Sequence, residues 1–112
     1  MRDIHVAHLD KARPVVVLTR EGVRSAMRRV TVAPITGTMK GLSTEVAIGR
    51  ANGLDRDCVI SCDNVVTIDK AALGRHLGFL FAHQEPALAQ AILNAFAVQI
   101  GDTDWQANSP NV

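Results

Sequence analysis

Tyrosine is absent, tryptophan occurs once, and aromatic residues make up only 4% of the 112-residue chain. That scarcity argues against a sheet that stacks unpaired bases on aromatic platforms. Long apolar runs are missing too: none approaches the roughly 20 residues a helix needs to cross a bilayer. The opening Met1-Arg2-Asp3-Ile4-His5 carries no signal-peptide apolar region, so the expected compartment is the cytoplasm and no membrane partner is expected. Two cysteines, Cys58 and Cys62, make no disulfide framework and suit a reducing environment. There is no internal repeat and no low-complexity tract. Gly37 and Gly41 flank a loop without the GK[ST] of a phosphate-binding loop, and no nucleophile elbow is present.

What remains is an ordinary globular mixture, 47% apolar and 21% charged. It excludes intrinsic disorder and fits one domain that buries roughly two-thirds of its unfolded surface. The net charge of +1 hides an asymmetry. Residues 1–50 hold nine Lys and Arg against four acids, a balance of +5; residues 51–112 hold three against seven, a balance of −4. Such a split marks either a face for a polyanion or two halves that mix in the fold.

Along the chain the signals are mostly those of short strands. Ile4–Ala7 is a weak first strand. Pro14-Val15-Val16-Val17-Leu18 is a continuous apolar run opened by proline, as a buried strand tolerates at its first residue. A basic connection, Thr19 to Arg29, leads to a strand at Val30–Ile35, and Thr36 to Gly41 reads as a loop. Thr44–Ile48 alternates as a strand, Asn52-Gly53 is a turn signal, and Cys58–Cys62, Val65–Ile68 and Gly74–Phe81 are further strands. Beyond His83 the period changes. Leu88, Ile92 and Phe96 recur at helical spacing with Ala89, Leu93 and Ala95 widening the stripe, Pro86 suits the first turn, and Gly101 marks the limit. The expected architecture is a mainly β (α+β) domain over residues 1–101, a small twisted barrel with one C-terminal amphipathic helix. A polar, flexible tail, 102–112, with Trp105 as its one large apolar residue, is expected to follow.

Chemistry-bearing residues are few. Cys58 and Cys62 lie four apart in a strand and so share a face; without a second Cys or His pair they read as core, not as zinc ligands. His5 and His8, three apart in a strand, point to opposite faces and suit no shared metal. Arg13 stands at the mouth of a buried strand, held extended by Pro14. Thr36 lies where a strand runs into a glycine-containing loop. A guanidinium and a hydroxyl at strand ends can address one phosphate. On chemistry alone, however, they read first as a surface ion pair and a loop-entry hydrogen bond.

Five segments in order carry a resemblance: Arg13–Leu18, Val32–Thr36, Ser43–Val46, Cys62–Asp69 and Leu73–Gly78. From about residue 2 to 98 the chain resembles the MazF/PemK toxins, and most closely their short-loop actinobacterial type. The resemblance implies an SH3-like barrel acting as a homodimer, an endoribonuclease that cuts single-stranded RNA without a metal or other cofactor and so arrests translation and growth. It also implies a cognate antitoxin whose C-terminal segment lies across the dimer and blocks the RNA site. On this resemblance Arg13 and Thr36 are the catalytic arginine and threonine, and Asp63 matches an aspartate used in some members. Lys11, Arg20, Arg24, Arg28, Arg29, Thr38 and Lys40 are then RNA contacts that position the strand. The chain departs from the family in its short link from Leu9 to Arg13, and in Ser61, which stands where some members place an arginine. Rival readings are a CcdB-like barrel that binds DNA gyrase without catalysis, and a catalytically inactive paralogue that only binds antitoxin.

Overall fold

The computed structural model describes residues 1–99. Gly101 and the expected tail at 102–112 lie outside that range. Seven strands form one strongly curled antiparallel sheet: β1 (Arg2–His8), β2 (Ala12–Val17), β3 (Arg29–Thr36), β4 (Glu45–Ile48), β5 (Cys58–Ser61), β6 (Val66–Asp69) and β7 (Leu73–Leu80). Two helices interrupt them, a single turn α1 (Glu21–Arg24) inside the basic connection, and α2 (Glu85–Phe96) at the end. Along the sheet the order is β4-β5-β3-β2-β1-β7, with β6 also paired to β3. The two halves of the chain therefore interleave, and the charge split does not make a separate basic lobe.

β3 is the hub. On one side it pairs with β2 throughout Val32–Pro34; on the other it pairs with β6 from Arg29 to Val32 and then with β5 at Ile35 and Thr36. The change of partner falls beside Pro34, which has no N–H to give to a ladder. The sheet forks there, and the fork opens a gap between β5 and β6.

Curling puts apolar residues on both faces of the central strands. Val16 joins Ile4, Ala33, Ile60 and Leu80 under α2, while Val15 and Val17 join Ala7, Val30, Val32 and Ile68 in a second core. Each face of β2 is buried, which is why its sequence is a continuous apolar run rather than an alternating one. Irregular pairing of β1 with β7 around His5 adds to the curl. Cys58 and Cys62 are both buried in the core under α2, although Cys62 has already left β5 for a 3₁₀ turn, Cys62–Asn64. Burial raises both thiol pKa values, with Asp57 adding to the effect at Cys58 and Asp63 at Cys62.

The helix departs in part from its expected stripe. Leu88 and Ala91 are buried and Ile92 and Ala95 pack beside them, but Ala89 faces out and Phe96 is 62% exposed. A short helix laid on a curved sheet buries only the turns that touch it, and the last turn runs past the sheet. The helix stops because Ala97 turns into the left-handed region (φ 53°) while its N–H bonds back to Leu93 and Asn94 carbonyls. Among the described residues no helix is long and apolar enough to cross a membrane.

The Asn52-Gly53 signal marks a tighter feature than a surface turn. Asn52 is buried, donating through Nδ2 to the Phe79 carbonyl at 2.8 Å and to Gln84 Oε1 at 2.7 Å. Gly53 (φ 95°) and Gly78 pass so closely that a methyl on either would overlap the backbone of the other segment. This crossing locks the 3₁₀ turn Arg50–Asn52 onto β7 and anchors the loop that leads into β5.

Candidate active site

The register of β2 and β3 builds the site. Val17 faces Val32, Val16 faces Ala33 and Val15 faces Pro34. Continued two residues further, that register sets Arg13 abreast of Thr36. With a period of two, Arg13 shares a face with Val15 and Val17, and Thr36 with Val32 and Pro34. The second core fills that face as far as Pro34 and then ends. Arg13 and Thr36 are the next residues out, where the fork between β5 and β6 leaves a cleft of about 710 Å³. Its walls bring together Arg13, Thr36, Thr38, Lys40, Glu45 and Asp63, with Leu9, Ser61, Asn64 and Val66 completing the rim.

Both modest roles anticipated for the key residues are present. Arg13 Nε lies 3.5 Å from Asp10 Oδ1, a long and exposed contact, and Thr36 Oγ1 accepts the Thr38 backbone N–H at 3.1 Å. Neither occupies the side chain fully. The guanidinium keeps free donors, and the Thr36 hydroxyl keeps its proton to donate. Asp10 itself sits below the ordinary carboxylate range, first through the Lys11 backbone N–H and then through the Arg13 charge. β1 and β2 are joined by only Leu9-Asp10-Lys11, so the cleft carries no overhanging flap from that side.

Two carboxylates face the cleft with different duties. Asp63 is exposed and accepts the Thr44 hydroxyl on Oδ2 at 2.6 Å. Glu45 accepts the backbone N–H groups of Lys40, Gly41 and Leu42 at 2.9–3.2 Å and so ties down the loop that carries Thr38 and Lys40. Glu45 falls within the Ser43–Val46 motif, which by itself assigns it no role. A carboxylate just beyond a loop with a left-handed glycine, Gly41 (φ 73°), is the signal that would have found it. Ser61, in place of an arginine, accepts Asn64 Nδ2 at 2.8 Å and adds no charge.

The remaining basic residues do not gather here. Arg29 opens β3 seven residues before Thr36, about 23 Å away at ~3.3 Å per residue. Arg28 precedes it, and Arg20 lines a separate depression with Val23 and Met27. Arg24 is engaged in the fold: its Nη1 meets Asp3 Oδ2 at 2.6 Å, and its carbonyl accepts Lys70 Nζ. Lys11 is exposed on the β1–β2 hairpin and does not line the cleft. His5 lies with Asp3 and Arg24, its Nδ1 3.0 Å from the Gly74 carbonyl, outside the cleft. Among the described residues no three His, Cys, Asp or Glu side chains cluster to hold a metal ion.

The model of the PemK-like, MazF-like toxins of type II toxin-antitoxin systems matches residues 3–96. The chain is 58% identical over 105 residues to the endoribonuclease MazF3 of Mycobacterium tuberculosis, covering 94% of this chain and 97% of that protein. It superposes on the Mycobacterium tuberculosis toxin MazF-mt6 with a TM-score of 0.87 at 57% identity, over 88% of this chain and all of that one. A mycobacterial endoribonuclease solved with its cognate antitoxin shares the fold, with a TM-score of 0.79 at 21% identity over 88% of this chain and 95% of that one. On the family match and on the relative identical at more than half of its positions, this chain is a member of the PemK-like, MazF-like toxin family.

Proposed function

We propose that the chain is the toxin of a type II toxin–antitoxin pair, acting in the cytoplasm as a sequence-selective endoribonuclease on single-stranded RNA. The observation that carries this reading is that Arg13, Thr36 and Asp63 line one open cleft. The RNA supplies its own nucleophile, the 2′-hydroxyl beside the scissile phosphate. Its attack forms the O2′–P bond and breaks the P–O5′ bond, leaving a 2′,3′-cyclic phosphate and a 5′-hydroxyl end.

The protein's work is alignment and charge stabilisation. The Arg13 guanidinium donates two hydrogen bonds to the phosphoryl oxygens, where negative charge grows, and the Thr36 hydroxyl donates one. Arginine keeps its proton at any ordinary pH, so the base is a different group. Asp63, with Oδ2 held by Thr44 and Oδ1 left for substrate, takes the 2′-hydroxyl proton, and water supplies the proton that turns the departing 5′-oxygen into the 5′-hydroxyl. Lys40 and Thr38, steadied by Glu45, contact the strand as it leaves the cleft. The protein works as a homodimer, and the C-terminal segment of its antitoxin covers the same cleft.

The test is direct. Purified protein and Arg13→Ala are incubated with a long single-stranded RNA in EDTA, and the ends are mapped. Discrete cuts with 5′-hydroxyl ends that vanish in the variant support the reading; intact RNA across unrelated substrates overturns it.

A further inference from the structure

Behind Thr36 lies a second, smaller pocket of about 310 Å³ that shares Thr36 with the cleft and is walled by Pro14, Gly37, Leu54, Asp55 and Arg56. The Arg13-Pro14 and Thr36-Gly37 segments form the ridge between the two: Arg13 belongs to the cleft, Pro14 and Gly37 to the pocket, Thr36 to both. The Arg56 guanidinium lies across Gly37, with Nε and Nη2 each 3.5 Å from where a β-carbon would stand. Arg56 is exposed and, among the described residues, forms no ion pair, although Asp55 and Asp57 flank it. The Asp57 carboxylate lies instead against Gly49. A second guanidinium is therefore held one residue past Thr36, on the opposite side of the ridge from Arg13.

We propose that this pocket is a nucleotide subsite next to the scissile phosphate. Arg56 contacts the phosphate of that nucleotide, and its base lies between Pro14 and Leu54 with the Asp55 carboxylate accepting from an exocyclic amino group. The proposal rests on the endoribonuclease reading for the strand that passes over the ridge, and adds a binding and selectivity role for residues outside the cleft. The mixture of apolar walls, one acceptor and one unpaired cation suits a single unstacked base with its phosphate. No aromatic platform is required, which fits a chain so poor in aromatics. The lip also rests on rigid backbone: Leu54 follows the Gly53–Gly78 crossing, and Arg50 Nε donates to the Asp55 carbonyl at 3.0 Å.

Wild type, Arg56→Ala and Asp55→Asn are compared on a long mixed-sequence RNA with end mapping, then on a short RNA carrying the mapped site. The subsite predicts that base preference relaxes at a position on one side of the cut only. It also predicts that Arg56→Ala raises KM about tenfold while kcat stays within about threefold, as loss of a charge-assisted phosphate contact should. The slope of log affinity against log salt should become shallower by about one, measured on uncleavable 2′-O-methyl RNA. Unchanged preferences with KM within about twofold, or a loss confined to kcat, overturn the subsite. A wild type that leaves RNA intact yet binds the 2′-O-methyl strand more tightly than Arg56→Ala would sink the nuclease reading and keep the subsite; equal binding would sink both.

Discussion

Two arginine–aspartate pairs near opposite ends of the sheet's central strands show what separates a working residue from a structural one. Arg24 and Asp3 meet at 2.6 Å with side chains 16% and 25% exposed, and His76 closes on the other Asp3 oxygen at 3.1 Å. Arg13 and Asp10 meet at 3.5 Å with side chains 38% and 75% exposed. Both pairs have the same composition. The first lies within the packed end of the sheet and ties β1 to α1; the second hangs on a three-residue hairpin over an open cleft. A substrate phosphate can draw Arg13 away at little cost, because an exposed, long pair contributes little. It cannot so draw Arg24.

The contrast can be broken at either pair. The largest effect expected is on catalysis: Arg13→Ala should lower the cleavage rate by on the order of 10²–10³, as loss of an oxyanion donor does. Its urea midpoint should stay at the wild-type value, and cleavage within threefold of wild type would remove Arg13 from the mechanism. Arg24→Ala should do the reverse. It leaves Asp3 with only His76 and should cost about 1–3 kcal/mol in urea unfolding, with cleavage of the folded protein close to normal. A large loss of cleavage at full stability would return Arg24 to the RNA track expected from charge alone.

The third effect is one of pH. Burial pushes the Asp3 carboxyl up, but the hydrogen bond and charge of Arg24, followed by those of His76, outweigh it, and its pKa falls below 3.8. A depressed carboxyl contributes stability that is complete above its unfolded value and is lost as pH falls through the folded one. Urea midpoints should therefore drop between pH 5 and pH 3, and Asp3→Asn should drop less steeply. Parallel curves would show that the pair does not carry the acid sensitivity. The smallest change belongs to Asp10→Asn, which should leave the melting temperature alone and raise cleavage efficiency by no more than about threefold, by removing a weak competitor for Arg13. A marked fall would mean that Asp10 takes part in the reaction.

Much of this was legible in the chain. The Pro14–Leu18 run announced a strand buried on both faces, and the residues from Leu88 announced a helix, because burial imposes its period locally. Arg13 and Thr36 stand out only through the family motifs that contain them, because a polar residue at a strand edge is by itself ordinary. Less legible were residues whose role depends on a distant neighbour. Glu45 is one carboxylate among eleven acids until the loop folds back on it, and Arg56 is one of twelve Lys and Arg until Gly37 lies beneath it.

By itself, then, the sequence determined the strands, the helix, the buried cysteines and the family, since each is written in short-range period or in contiguous motifs. Only the tertiary structure decided that two residues 23 apart in the chain line one cleft, that Arg20, Arg24, Arg28 and Arg29 do not line it, and that Arg24 is a partly buried tie while Arg13 is held only by a long, exposed contact. Register and partner choice belong to pairs of strands. No single stretch of sequence contains them, and they are settled when the sheet curls, forks at Pro34 and closes on its core.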